Sequence, residues 1–369
     1  MKDVKNRLQT ICTALTVYVL LGCLLFQGKS LERMGGMWLF PGMAQNFEKE
    51  DVKMSATSYI KKLFPLYRYV EKKVEASVVV EDTMTYEMIL AQEAKDELRV
   101  SEDLTVNAGT KTEETAALSM DKLRDFNYLL SHFYTVDSTT MIGPEQLNAD
   151  QLLAKDMKIN TKTKGPKVLI FHTHSQEAFK DSNSKDPSTT IVGMGAYLAK
   201  LLNQKGIETI HHDGVYDLIG GKLDRSKAYQ MSEEGVKKIL NQHPSIEVVI
   251  DLHRDGVPET THLVTNINGK QTAKIMFFNG LSRTKTNGDI AYLKNPYIQD
   301  NLAFSLQMQL KAQEMYEGFT RRIYLKGYRY SLHMMPKSLL IEAGAQTNTV
   351  QETKNAMELL ANILAKVLL

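Results

Sequence analysis

Hydrophobic and polar positions divide the chain into an apolar amino-terminal segment and a long carboxy-terminal part in which strand and helix patterns alternate. Short apolar runs rich in β-branched residues indicate buried strands, and apolar residues at every third or fourth position indicate helices. The predicted strands are 167–171, 207–211, 246–252, 262–267, 274–278 and 338–341, and the predicted helices are 123–133, 191–203, 225–240, 301–316 and 349–367. This alternation predicts an α/β fold whose sheet is covered by helices on both faces.

The apolar amino-terminal segment is predicted to anchor the chain in a membrane. Residues 11–26 carry no charge and, with their flanks, approach the roughly 20 residues that a helix needs to cross a bilayer. Lys2, Lys5 and Arg7 precede them, so the positive-inside rule keeps the amino terminus in the cytoplasm and translocates the rest. The alternative, a cleaved signal peptide, normally ends at a small-x-small site. The apolar run ends instead in Leu-Leu-Phe-Gln-Gly-Lys-Ser, which contains no such site and therefore favours an uncleaved anchor.

Changes in composition predict four segments. Residues 1–28 form the cytoplasmic tail and the transmembrane signal anchor, and residues 29–90 form a juxtamembrane region long enough for a small domain. Residues 91–122 are polar, acidic and poor in aromatic side chains, which is typical of a flexible linker because such a segment buries little apolar surface. Residues 123–369 hold the alternating pattern and are the predicted catalytic domain.

Charge and cysteine content exclude several function classes. The 45 basic and 43 acidic residues give a net charge of +2, which is too balanced for a protein whose main partner is nucleic acid. The two cysteines, Cys12 and Cys23, lie in the apolar segment, so the rest of the chain has no disulfide, thiolate metal site or cysteine nucleophile. The sequence also lacks the G-x-S-x-G, G-x-x-x-x-G-K-[ST] and H-E-x-x-H motifs of serine hydrolases, P-loop enzymes and zincins.

Side chains suited to catalysis follow three of the predicted strands. His172 and Glu177 come after strand 167–171, His253 ends strand 246–252, and Glu342 follows strand 338–341. Functional groups collect beyond the carboxyl ends of strands in such sheets. Two imidazoles and one carboxylate, with an open fourth position, are the usual ligands of catalytic zinc. His172, His253 and Glu177 are therefore the candidate ligands, and Glu342 is the candidate general base.

The same residues also have non-catalytic interpretations. Histidines at strand ends often make ordinary polar contacts, and buried carboxylates often pair with arginine or lysine. His174 is expected on the same face as His172, because alternate residues of an extended strand share a face, which makes it a candidate substitute ligand. Glu177 would also suit the first turn of a helix. Asp251 is either a partner that holds an imidazole tautomer or part of a turn. His211 is expected to be structural.

Four stretches, taken together and in order, resemble the stage II sporulation protein P family. They are 126–140 (FNYLLSHFYTVDSTT), 168–179 (VLIFHTHSQEAF), 249–256 (VIDLHRDG) and 341–349 (IEAGAQTNT). The resemblance covers residues 123–369, and the amino-terminal anchor fits it as well. It implies a zinc-dependent N-acetylmuramoyl-L-alanine amidase fold, which is a mixed sheet flanked by helices, preceded here by a single transmembrane helix.

The resemblance also implies an activity and a cellular place. Family members hydrolyse the amide between N-acetylmuramic acid and the L-alanine of the stem peptide, and they thin septal peptidoglycan during engulfment beside stage II sporulation proteins D and M. The catalytic domain would lie on the extracytoplasmic side of the septal membrane. His172 and His253 correspond to the Zn²⁺ ligands and Glu342 to the catalytic glutamate, whereas Glu177 follows its histidine more closely than the carboxylate ligand does in the wider amidase group.

Three assignments remain open at this point. Arg254 is a catalytic candidate that would stabilise an oxyanion or bind a stem-peptide carboxylate. In the alternative interpretation, Arg254 is a structural partner of Asp251. A zinc endopeptidase that cuts stem-peptide cross-links would use the same ligands with a different groove. A non-catalytic envelope scaffold would need no metal at all.

Overall fold

The structure, a computed structural model, describes residues 119–286 and 288–369. The predicted anchor, residues 1–28, and the juxtamembrane region, residues 29–90, lie outside the described residues, as does nearly all of the predicted linker, residues 91–122. Among the residues that are described, no helix is both long enough and apolar enough to cross a bilayer. The four segment boundaries therefore stay predictions.

The described part of the chain contains a seven-stranded sheet, three small hairpins and helices on both faces of the sheet. The strands are β1 (Tyr134–Val136), β2 (Val168–Phe171), β3 (Thr209–His211), β4 (Leu218–Ile219), β5 (Lys222–Leu223), β6 (Val248–Asp255), β7 (Val264–Ile267), β8 (Lys270–Ala273), β9 (Ile275–Gly280), β10 (Arg283–Thr284), β11 (Gly288–Asp289), β12 (Ile323–Lys326) and β13 (Lys337–Ala345). The α-helices are α1 (Met120–Arg124), α2 (Phe126–Phe133), α3 (Ala149–Ala154), α4 (Ile191–Gln204), α5 (Ala228–Gln242), α6 (Ile298–Met315) and α7 (Val350–Leu368).

The main sheet is mixed, as the family resemblance implies. Its strand order is β1-β12-β9-β13-β6-β2-β3. Strands β13, β6, β2 and β3 run parallel to one another, and β9 runs antiparallel to β13. Strands β12 and β1 run parallel to β9. The carboxyl ends of β2, β6 and β13 consequently meet at one edge of the sheet, which we call the site edge.

Alternating residues of the central strands feed two separate cores. Ile250 and Leu252 of β6 join a large core with residues of α2, α3, α4, α6 and α7. Val249, one position away, packs on the opposite face with Val236 of α5. Side chains two apart on a strand share a face, so Asp251 and His253 lie on the same face as Val249. The prediction of a sheet covered on both faces is confirmed.

Most predicted elements exist, and the differences have local causes. Strands β6 and β13 continue three or four residues beyond the predicted ends, through polar residues that form their carboxyl-terminal pairing. The predicted helix 123–133 is two helices, because the Asp125 side chain accepts the backbone N–H of Tyr128 and starts α2 anew. The prediction lacks the short strands β1, β4, β5, β8, β10, β11 and β12, none of which has more than four residues.

Helix α7 begins with a capping box whose contribution to stability can be measured. The Thr349 side chain accepts the backbone N–H of Glu352, and the Glu352 carboxylate accepts the backbone N–H of Thr349. Thr349→Ala should therefore lower the free energy of unfolding by about 1 kcal/mol in urea titrations. Thr161→Ala, at an exposed position, is the matched control. Equal losses in the two variants would contradict a capping role.

Candidate active site

The chain turns at the end of β2, and this turn sends His172 and His174 to opposite faces of the sheet. The Nδ1 of His172 donates to the Leu252 carbonyl oxygen at 2.7 Å, and its Nε2 lies 3.0 Å from Nε2 of His211. The ring of His174 packs edge-on against Tyr229 of α5, with ring centroids 5.6 Å apart. The expectation of a shared face is wrong, because β2 ends at Phe171 and the following residues are not extended.

His172 is enclosed on the face that α4 covers. A Cβ atom added to Gly195 of α4 would lie 2.4 Å from the Nε2 of His172 and 2.8 Å from that of His211. Burial, together with His211, lowers the pKa of His172 to about 3, so the ring is neutral. His172 therefore ties the end of β2 to β6 through Leu252 and does not join the cluster around His253. His211, expected to be structural, is its partner.

His253 is held by Asp251 on the same strand. The Nε2 of His253 lies 2.8 Å from Oδ1 of Asp251, within ion-pair distance. The Asp251 carboxylate accepts the backbone N–H and the hydroxyl of Thr173, at 2.9 and 2.6 Å. Asp251 therefore joins the loop after β2 to β6 and faces the His253 ring, rather than forming a turn. The His174 ring lies beside His253, with centroids 5.2 Å apart.

Glu177 completes this group of side chains. Its Oε2 accepts the backbone N–H of Arg254 at 2.8 Å and lies 3.7 Å from Nδ1 of His253. Burial alone raises the pKa of the Glu177 carboxyl, but the hydrogen bond and charge of His253, with the charges of Arg254 and Arg225, hold the pKa well below its usual range. The carboxylate is therefore ionised. The helix-start interpretation of Glu177 is wrong, because the next α-helix, α4, begins at Ile191.

Glu342 lies beside His253 on the neighbouring strand. The two residues are register partners of the parallel pair β13 and β6, where adjacent strands run about 4.8 Å apart. Leu340, two positions earlier, belongs to the core on the α5 face, so Glu342 is on the same face as His253. Both side chains are buried. The sequence placed this glutamate correctly at the site edge.

Arg254 has its side chain turned to the backbone. Its Nε donates to the Ala178 carbonyl oxygen at 3.1 Å and its Nη1 to the Asp255 carbonyl oxygen at 3.2 Å. The alternative of a pair with Asp251 is wrong, because the partners of Asp251 are Thr173 and His253. The guanidinium group nearest Glu177 is instead that of Arg225, whose Nη2 is 3.4 Å from Glu177 Oε1.

Sequence reasoning missed Arg225 and a second buried arginine, Arg321. Arg321 donates to Asp255 at 2.6 Å, two residues beyond His253 on β6. Neither arginine lies in a motif. Arg225 precedes α5 and Arg321 precedes β12, and only the sheet order brings them to the site edge. No pattern in the sequence could have singled them out.

The donor types at the site edge suit a zinc ion, although the side chains are not gathered around one point. Among the described residues, no group of three histidine, cysteine, aspartate or glutamate side chains is already arranged to hold a metal. His253 nevertheless adjoins both His174 and Glu177, and the three together supply two imidazoles and an ionised carboxylate. Metal-binding histidines commonly have a carboxylate at their other ring nitrogen, and Asp251 lies 2.8 Å from Nε2 of His253. His172, predicted as a ligand, is replaced in this set by His174.

The site is closed in this conformation. His174, Glu177, His253 and Glu342 are each at most 3% exposed. The segment 217–229 packs over the loop that follows β2, because Asp217 accepts the Ser175 hydroxyl at 2.6 Å and the Gln176 backbone N–H at 3.0 Å. We call residues 217–229 the covering segment.

Sequence comparison places the chain in a family. The sequence profile of stage II sporulation protein P matches residues 54–365. The chain belongs to the stage II sporulation protein P family. The stage II sporulation protein P of Bacillus subtilis (strain 168) is 22% identical over 215 residues, which are 54% of this chain and 50% of that relative. The match thus spans only half the length of the relative. The family resemblance noted from the four sequence stretches is confirmed.

Solved structures show a weaker likeness. The CwlD amidase from Clostridioides difficile, in complex with the GerS lipoprotein, is 15% identical with a TM-score of 0.35, over 55% of this chain and 98% of that chain. The N-acetylmuramoyl-L-alanine amidase AmiC2 of Nostoc punctiforme is 14% identical with a TM-score of 0.30, over 56% of this chain and 96% of that chain. Such scores carry no inference about the site, whose assignment rests on its own geometry.

The role of Asp251 can be tested through the tautomer of His253. In the wild-type protein we expect the His253 proton on Nε2, because the Asp251 carboxylate lies 2.8 Å from this nitrogen and favours a proton there. Asp251→Asn should move part of this population to Nδ1, as measured by long-range ¹H–¹⁵N NMR of the imidazoles. Asp213→Asn, at an exposed position near His211, should leave the His253 signals unchanged. An unaltered His253 tautomer in Asp251→Asn would contradict this role.

Proposed function

We propose that this protein is a peptidoglycan hydrolase of sporulation, and more specifically an amidase that cleaves the bond between N-acetylmuramic acid and the L-alanine of the stem peptide. Membership of the stage II sporulation protein P family supports the first part. The observation that carries the chemistry is the cluster at the site edge, where His174, His253 and the ionised Glu177 adjoin and Glu342 lies beside His253.

The cofactor in this proposal is Zn²⁺, held by His174, Glu177 and His253. When bound, the ion would polarise the scissile carbonyl and lower the pKa of a water molecule toward about 7. His174 takes the place that the sequence assigned to His172, because the His172 ring is directed at His211 on the other face of the sheet. Asp251 lies 2.8 Å from the Nε2 of His253, which leaves the Nδ1 on the side of Glu177, 3.7 Å from its carboxylate.

Glu342 is the proton carrier in this mechanism. Its carboxylate takes a proton from the attacking water as the carbon–oxygen bond forms. It then gives that proton to the alanine nitrogen as the carbon–nitrogen bond breaks, so the glutamate ends the cycle as it began. Its position beside His253 on β13 places it within one strand spacing of the proposed ligands. Burial of the site would exclude bulk water during these transfers.

A polymeric substrate requires the covering segment, residues 217–229, to move. It contacts the loop after β2 through Asp217 with Ser175 and Gln176, through Arg225 with Glu177, and through the Tyr229 ring with His174, so it must open for the substrate to enter and can close again over it. Lid motions of this kind commonly accompany substrate entry in enzymes. The membrane anchor at residues 11–26, the extracytoplasmic location at the septal membrane and the partnership with stage II sporulation proteins D and M belong to the same proposal and rest on sequence and family resemblance alone.

Glu342→Gln tests the proposed reaction directly. The full-length protein with zinc should release stem peptides that begin with free L-alanine from purified peptidoglycan, and a chelator should stop this release. Glu342→Gln should keep stoichiometric zinc but lower kcat by about 100-fold or more, because the proton carrier is gone. Exposed Glu317→Gln is the control. Mass spectrometry of the products separates amidase from endopeptidase cleavage, and retained activity in Glu342→Gln would remove this residue from the mechanism.

The choice between His174 and His172 can be decided by metal analysis. His174→Gln should lose stoichiometric zinc, because a ligand is removed. His172→Gln should keep zinc and lose stability, because the contacts with Leu252 and His211 are lost. Elemental analysis of the desalted proteins, together with urea unfolding, measures both effects. Zinc lost from His172→Gln and kept by His174→Gln would reverse the assignment, and a wild-type protein without zinc would favour the scaffold interpretation.

A further inference from the structure

Arg225 carries buried N–H groups that nothing in the described protein satisfies. Its side chain is 13% exposed, and its Nε and Nη1 atoms are buried without a hydrogen bond to any described residue. A buried donor without a partner costs about 1–3 kcal/mol, so such groups call for a ligand or a water molecule. The third nitrogen, Nη2, lies 3.4 Å from the Glu177 carboxylate at the centre of the site.

The charge of Arg225 is only partly balanced by Glu177. The Oε2 atom of this carboxylate already accepts the backbone N–H of Arg254, and it also faces His253. The contact of Oε1 with Arg225 is an ion pair at 3.4 Å and does not engage Nε or Nη1. Arg225 belongs to the covering segment, so closure of this segment over a substrate brings a positive charge and two donors without partners to the Glu177 carboxylate.

The other two arginines at the site edge have stronger partners within the protein. The guanidinium group of Arg254 donates to two backbone carbonyls. Arg321 is paired through Nη1 at 2.6 Å with the buried Asp255 and keeps one buried donor, Nη2, without a hydrogen bond among the described residues. A substrate anion would have to compete with Asp255 for Arg321, whereas Arg225 offers free donors. Arg225 is therefore the cation best placed to bind an anionic group of a substrate.

The substrate of the proposed function carries such a group. The second residue of a stem peptide is a γ-linked D-glutamate, which has a free α-carboxylate in some cell walls and a carboxamide in others. This residue follows the alanine whose nitrogen leaves, and its α-carbon is about 3.8 Å beyond the α-carbon of that alanine. Arg225 and His253 contact different oxygens of Glu177, at 3.4 and 3.7 Å, so the two side chains are separated by a length on the order of two residues of extended chain.

We propose that Arg225 binds the α-carboxylate of the second stem-peptide residue through Nε and Nη1, and so makes the enzyme prefer D-isoglutamate over D-isoglutamine. The planar guanidinium group matches a carboxylate with two parallel N–H···O bonds, and a carboxamide accepts only half of this pattern. The proposal rests on the proposed amidase function, and it replaces the role that the sequence suggested for Arg254.

The experiment compares two muropeptides that differ only at this group. With the full-length protein and zinc, kcat/KM should be about tenfold higher for the D-isoglutamate substrate than for the D-isoglutamine substrate, mainly through KM. Arg225→Gln should bring the ratio of the two kcat/KM values close to one. Arg225→Lys keeps the positive charge but loses the planar guanidinium group with its two parallel donors, so it should give an intermediate ratio. Arg322→Gln, at an exposed neighbouring arginine, should keep the wild-type ratio.

If Arg225 had only a structural role, Arg225→Gln would lower kcat/KM for both muropeptides by the same factor and leave the ratio of the two values unchanged. That outcome would overturn the proposal. A wild-type protein that does not discriminate between the two substrates would overturn it as well. If Arg225→Gln fails to fold by thermal unfolding, Arg225→Lys decides, and a wild-type ratio in that variant counts against the proposal.

Binding measurements separate this inference from the proposed function. If the wild-type protein hydrolyses neither muropeptide, the proposed function fails. Equilibrium titration with the dipeptides L-alanyl-D-glutamate and L-alanyl-D-isoglutamine, which differ only in the α-carboxylate, then tests Arg225 alone. Binding about tenfold tighter for the acid in wild type, and lost in Arg225→Gln, supports the proposal. Equal binding of the two dipeptides overturns it.

Discussion

The buried carboxylate of Asp251 is the contact on which the site depends. It lies on central strand β6, where it accepts the backbone N–H and the hydroxyl of Thr173 and lies 2.8 Å from the Nε2 of His253. A buried carboxylate is tolerated when its oxygens accept several hydrogen bonds, and this one uses them to fix the turn after β2. The turn directs His174 toward His253 and His172 away from it.

Charge balance explains why the remaining polar groups at the site edge are arranged in linked pairs. An isolated charge in this buried region would be costly, so Glu177 is shared among a backbone N–H, His253 and Arg225, and Asp255 pairs with Arg321. The Glu177 arrangement leaves part of a positive charge unbalanced beside the proposed reaction centre. In the proposed function, the same arrangement that permits the fold would also bind an anionic group of the substrate.

The parallel pairing of β2, β6 and β13 is what turned a sequence pattern into a site. Apolar runs in the sequence predicted these strands. The polar residues that follow each run are the side chains that the structure places at the site edge. Short elements were harder to find, since β1 and β12 have too few residues to show a periodicity and form only through pairing with each other and with β9. Alternate residues of β6 point to opposite faces of the sheet, and this explains the hydrophobic cores on both faces.

The sequence by itself determined the α/β fold class, the strand ends that carry His253 and Glu342, and the family, because these depend on local hydrophobic patterns and contiguous motifs. Only the tertiary structure decided which imidazole joins His253 and which arginine faces Glu177. Both choices depend on a turn of irregular backbone and on contacts between residues that are remote in sequence, such as Arg225 with Glu177 and His172 with Leu252. No local pattern encodes a contact of that kind, since its geometry arises when the sheet assembles.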